Sequence, residues 1–135
     1  MLRMKESLTT ILCCLLLSCN QKMTTASARD QSVLYQYWVH SFEDDSRENS
    51  MAKYKTYRPS TYHFPPARGR DAFEIKEHSV FISHPIAPAD GNLTITEKWE
   101  LDNDKLTITG KTAVTSFKIV SLSKEKLVLE PLLSQ

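Results

Sequence analysis

The chain has 135 residues, of which 41% are apolar, 24% are charged and three are glycine. Its 17 Lys and Arg stand against 16 Asp and Glu, so no basic excess is offered to a polyanion and charge argues against nucleic-acid binding. So few glycines leave no Gly-rich phosphate loop, and the length suits one domain.

Residues 1–18 differ from the rest. Arg3 and Lys5 oppose a lone Glu6, Leu8 to Leu17 is apolar apart from two threonines, and Ser18-Cys19 follows. A positive start, a short apolar stretch and a small residue before the cut describe an export signal. At 1.5 Å per residue, a run of that length is too short to cross a ~30 Å hydrocarbon core as a helix. Leu16-Leu17-Ser18-Cys19 resembles the bacterial lipobox. The resemblance implies that residues 1–18 are removed and that Cys19 is diacylated as the first residue of the mature chain. Cys13 and Cys14 would leave with the signal, so no disulfide framework, CxxC pair, thiolate metal site or cysteine nucleophile is expected. Arg3, Lys5 and Glu6 leave too, so 15 basic and 15 acidic residues remain. Membrane attachment would then rest on the acyl chains, each buried CH₂ contributing roughly 0.8 kcal/mol. Asn20 stands where an aspartate is associated with inner-membrane retention in bacterial lipoproteins. The resemblance therefore implies a cell-envelope protein sorted to the outer membrane, with its domain in the periplasm or at the cell surface.

From Cys19 to Ser32 the composition is polar around a single Met23. It has too little apolar surface to offset the entropy of ordering, so residues 19–32 read as a flexible tether. The domain is expected over 33–135. Val33 to Phe42, rich in aromatic and β-branched residues, predicts a first strand, and Ala52 to Tyr57, Ala72 to Ile75 and Val80 to Ser83 predict three more. Between them, Arg58 to Asp71 holds three prolines and His84 to Asn92 holds two; residues without an N–H belong in loops. Leu93 to Leu101 then alternates apolar and polar positions, broken on its apolar face only by Glu97. Asp102-Asn103-Asp104 reads as a turn, Leu106 and Ile108 mark the next strand, Thr112 to Ser121 the seventh and Lys126 to Glu130 the eighth.

The fold class predicted is all-β, a single antiparallel meander of about eight short strands with no helix. Rolled into a small barrel, closed or partly open, such a sheet hides its edges; a two-sheet sandwich is the alternative, then an open sheet. The stretches "YWVHSFEDD", "YRPS", "FPPARGRDAFEI", "EKWELDNDKLTI" and "FKIVSLSKEKLVLEPL" together resemble small bacterial lipocalin-like lipoproteins of poorly assigned function. In the lipocalin Gly-x-Trp opening, Trp38 matches while Gln36 replaces the glycine. The resemblance implies a lipocalin-like barrel, an apolar or amphipathic ligand or an envelope protein as partner, and no cofactor.

The candidate site residues are charged. His40, Glu43, Asp44 and Asp45 leave the first strand, Arg58 leaves the second, and Arg68 and Arg70 precede the third. One reading is a latch in which Arg68 or Arg70 pairs with Glu43 or Asp44 and pins the long loop over the barrel mouth. Another is a carboxylate or phosphate site on which Arg58, Arg68 and Arg70 converge. If strands pair in chain order, the acids and Arg58 fall at opposite ends, so the latch needs the loop to fold back. Trp38, Trp99 and Phe117 are core aromatics or line an apolar pocket. His40, His63, His78 and His84 include no i, i+2 or i, i+4 pair, so no metal site is expected. Glu97 and Glu100 fall on opposite faces of a strand, no Gly-x-Ser-x-Gly elbow occurs, and no catalytic residue is assigned. The function expected is a lipid-anchored, non-enzymatic β-barrel module that binds a small ligand or a protein partner. The alternative is a structural or inhibitory envelope lipoprotein with a filled core, acting through its loops.

Overall fold

A computed structural model describes residues 30–48 and 53–133. The export signal, Cys19 and the tether up to residue 29 lie outside the described residues. Eight antiparallel strands close into one barrel, not a sandwich: β1 (Tyr37–His40), β2 (Lys55–Pro59), β3 (Ala72–Lys76), β4 (Val80–His84), β5 (Ile95–Asp102), β6 (Lys105–Thr109), β7 (Val114–Leu122) and β8 (Leu127–Leu132). Closure pairs every strand on both sides, which leaves no open edge to recruit another chain.

Pairing departs from chain order once. Strands β3 to β8 follow one another, but β1 lies between β2 and β3, and β2 closes the barrel against β8. Since β2 and β3 both run antiparallel to β1, they run parallel to each other. The β2–β3 connection must therefore travel the length of β1 to reach the start of β3, which is the physical reason that it is long. The end of the barrel where β1 finishes and β2, β3, β5 and β7 begin is called the upper rim below.

Two segments differ from the alternation-based expectation. Val33 to Phe42 is not one strand: Gln31–Leu34 is a 3-10 turn that takes in the last residues of the predicted tether, and Phe42 opens helix α1 (Phe42–Glu48). The turn caps the lower end. Leu34 is fully buried, the Trp38 indole N–H donates to the Leu34 carbonyl at 3.1 Å, and the Gln36 amide reaches the Lys124 carbonyl in the β7–β8 turn. Prolines also enter strands, but only at their ends: Pro59 closes β2 opposite Trp38, and Pro131 lies near the end of β8 opposite Phe117. A terminal position is where a missing ladder donor costs least.

Side chains from alternate positions fill the interior. Trp38, Ile75, Leu106, Ile119, Leu127 and Leu129 are at most 2% exposed, and Phe73 meets Tyr57 edge-on and stacks on Phe81, with centroids 4.8 and 5.1 Å apart. A ligand-sized hollow would leave its walls open to water, so the lower barrel is packed core. Higher up, the inward positions open: Ile95 is 42% exposed, Lys55, Thr115 and Pro131 are exposed, and Glu97 is half-buried.

Candidate functional site

The upper rim carries a charged arc built where β1 gives way to α1. Ser41 precedes three successive acids, Glu43, Asp44 and Asp45, in the first turn of α1, a placement that suits the positive end of a helix. Each acid takes a different basic partner. Glu43 accepts two bonds from Arg70, at 2.9 and 2.5 Å. Asp44, itself buried, accepts from Arg58 Nε at 2.8 Å and from the Ser41 hydroxyl at 2.9 Å. Asp45 accepts from the Thr56 N–H at 2.6 Å and bonds His40 Nε2 at 2.7 Å.

Arg70 holds the loop. Its guanidinium lies 4.3 Å from the Phe42 ring centroid and 4.9 Å from that of Phe64, and it donates to the His40 and Pro65 carbonyls as well as to Glu43. Aromatic faces above a planar cation and two aligned donors below a carboxylate are the geometry for which arginine is suited and lysine is not. The Arg70 hydrogen bonds hold the Glu43 carboxyl below its usual range, against the opposing effect of desolvation. Arg58 similarly stacks on Tyr62, 5.1 Å from its centroid. Arg70 meets Glu43 because the β2–β3 connection climbs back along β1, whereas Arg58 reaches Asp44 from β2 itself, which pairs with β1, so the expected separation of Arg58 from the acids does not hold.

His40 sits between two carboxylates, Asp71 at 2.8 Å on Nδ1 and Asp45 at 2.7 Å on Nε2. A carboxylate only accepts, so two such bonds call for both ring nitrogens to carry protons, which is the imidazolium form. Burial works against that charge, but hydrogen bonds to Asp71 and Asp45 outweigh it and raise the His40 pKa above its ordinary value. The His40 bond in turn lowers Asp71. Burial pushes the neighbouring Tyr57 hydroxyl up, with the Asp71 and Asp45 charges adding to it. With both nitrogens engaged, His40 has none left to act as a general base; its chemistry here is that of a charged tie between β1, α1 and the entry to β3.

Arg68 takes no part in this network. It is exposed and forms no ion pair among the described residues. It borders an open cleft of about 590 Å³ between the β2–β3 connection and the β4–β5 loop, together with Tyr37, His84, Ile86, Leu93 and Thr94. Tyr37 and His84 lie on the outer face of the sheet, opposite in phase to Trp38 and Phe73, so the cleft lies outside the barrel wall. Gly69 separates Arg68 from Arg70 with φ of +151°, a backbone region that side chains with a Cβ rarely adopt. Two residues that would share one side of an ordinary extended chain thus divide: Arg70 goes to Glu43 and Arg68 stays at the cleft. The expected convergence of three arginines does not form, because Asp44 and Glu43 occupy Arg58 and Arg70.

Of the aromatic candidates, Trp38 is fully buried and Trp99 is 6% exposed, its indole N–H bonded to the Lys76 carbonyl at 2.9 Å. Both are core. Phe117 is half-buried where the packed interior meets the open rim. His40 and Asp45 stood in the expected ionic group without a partner assigned to them, and the structure pairs them with each other; Ser41 and Asp71 were not among the predicted site residues. The one local signal was Ser41-Phe42-Glu43-Asp44, a Ser-x-x-acid pattern that marks helix starts.

Comparison with protein-family models, curated proteins and solved structures finds no match to this chain.

Proposed function

We propose that this chain is a lipid-anchored, non-enzymatic β-barrel module of the cell envelope that binds a small amphipathic ligand or a protein partner through the loops of its upper rim. One observation carries the reading. Among the described residues, six of the eight exposed large apolar side chains lie at that end, Ile86 at 60%, Leu93, Ile95, Val114 at 58%, Leu132 and Leu133, with Tyr62 and Val120 elsewhere. Apolar surface concentrated at one place on a small domain marks an interaction site more often than chance exposure does. The chain enters the barrel at the opposite end, through the Gln31–Leu34 turn. A Cys19 anchor would thus leave the apolar rim free to face away from the membrane.

The filled lower barrel favours a second reading, a structural or inhibitory protein acting through its loops. The two separate on whether a small molecule travels with the protein. Native mass spectrometry of the purified chain is expected to detect a co-purifying amphiphile that is lost in Ile86→Glu/Leu93→Glu. Crosslinks to a partner in intact cells that persist unchanged in that variant, with no bound small molecule, would sink the rim as the binding surface.

A further inference from the structure

We propose that the cleft beside Arg68 is a binding site for an amphipathic anion, whose carboxylate or phosphate group is taken by the Arg68 guanidinium while its apolar part lies on Ile86 and Leu93. The inference rests on the ligand-binding reading above and names the chemistry of the ligand.

Three observations converge on it. The first is charge. Among the cleft residues Tyr37, Arg68, His84, Ile86, Leu93 and Thr94, the fixed charge is the Arg68 cation, and the remaining lining residues add Arg70 and no acid. Arg70 is already neutralised by Glu43, so Arg68 is the cation available to a ligand. A guanidinium presents paired donors that match the two oxygens of a carboxylate or phosphate.

The second is the chemistry of the wall. The Thr94 hydroxyl and His84 Nδ1 lie 3.4 Å apart, and the His84 ring packs against Tyr37 with centroids 5.2 Å apart. Polar groups able to donate therefore stand on the wall that Arg68 borders. Beside them Ile86 is 60% and Leu93 is 46% exposed, which supplies an apolar floor for an acyl or alkyl chain. Cleft volume falls within the ~300–1,000 Å³ usual for small-molecule sites.

The third is construction. Arg70, Phe42 and Phe64 pin one side of the connection, and the Ile86–Asn92 bridge closes the base of the β4–β5 loop on the other. Both walls are held by contacts that do not involve Arg68, so the site is formed before a ligand arrives and loses little affinity to ordering.

The test is calorimetric titration of the full chain carrying Cys19→Ser, so that no acyl chain of its own competes. The probes are dodecyl phosphate, dodecanoate, neutral dodecanol and inorganic phosphate, with phosphatidylglycerol and phosphatidylcholine vesicles as a separate arm. The anionic amphiphiles are expected to bind at least about 10-fold tighter than dodecanol, the ratio that one charge-assisted hydrogen bond supplies. Arg68→Ala should bring them to the dodecanol level, while Lys124→Ala at the opposite end should change nothing. Binding of free amphiphile identifies a soluble ligand; Arg68-dependent binding of phosphatidylglycerol vesicles alone identifies a headgroup in a bilayer. If dodecanol binds as tightly as the anions and Arg68→Ala is silent, the anion site is wrong and the ligand-binding module survives. If no probe binds in either arm, this inference and the small-ligand reading fall together.

Discussion

Thr56 illustrates how closely the rim is built. It is fully buried, its N–H is answered by Asp45, and its hydroxyl has no partner. An unanswered buried hydroxyl costs about 1–3 kcal/mol. Thr56→Val keeps the branched shape and removes the orphan, so it is expected to raise stability by about 1 kcal/mol in a urea titration. His40 makes the second prediction at this scale. Its pKa is raised in the folded state, so its contribution is complete below the unfolded value of 6.5 and is lost as pH rises through the raised value. Asp71 is lowered, so its contribution is present above 3.8 and is lost as pH falls through the lowered value. Both shifts describe one contact, and the contact is strongest between those limits. Thermal denaturation should show the highest midpoint between pH 3.8 and 6.5, with a decline on the alkaline side that His40→Gln removes. An unchanged alkaline limb in that variant would exclude His40 as its source.

Among elements, the β2–β3 connection carries most of the unusual chemistry. Its "FPPARGR" stretch holds two arginines with opposite fates, one answered by Glu43 and one left at the cleft. A double-mutant cycle on Glu43→Ala and Arg70→Ala is expected to give a coupling of about 1–2 kcal/mol, above an ordinary surface pair because the guanidinium is 9% exposed and lies 4.3 and 4.9 Å from the Phe42 and Phe64 ring centroids. Gly69→Ala should cost about 1–3 kcal/mol through its backbone conformation and should lower that coupling. A Gly69→Ala variant with wild-type stability would show that the loop does not depend on this turn. Helix α1 belongs to the same construction. Seven residues are too few to display a 3.6-residue period, so apolar spacing could not announce it, and its Ser41-x-x-Asp44 start was the one cue available.

For the molecule as a whole, closure explains both the packed lower half and the open rim. Strand pairing all round the wall satisfies the backbone, the Gln31–Leu34 turn plugs one end with Leu34, and the other end is left to loops. Leu34→Ala should therefore destabilise the barrel by about 2–4 kcal/mol, read by denaturant titration, since the plug has no exposed surface to relax into. Anchoring is tested at the same scale: Cys19→Ser is expected to change both the mass of the product, which loses its acyl groups, and its association with membranes. An unchanged mass and location would remove the lipoprotein proposal.

The number of strands and the positions of most turns are legible in the residues, because alternation along a strand is a local property that needs no knowledge of the partner. Glu43, Asp44, Arg58, Arg68 and Arg70 also stand out there as a group, since unlike charges cluster on either side of one proline-rich loop. Which pairs form depends on the packing of the closed barrel. The insertion of β1 between β2 and β3 depends on which distant strands meet, and no local pattern encodes that choice. The same rearrangement sends the loop back along β1, delivers Arg70 to Glu43, closes His40 between Asp45 and Asp71, and leaves Arg68 facing a cleft, while Arg58 reaches Asp44 directly from β2.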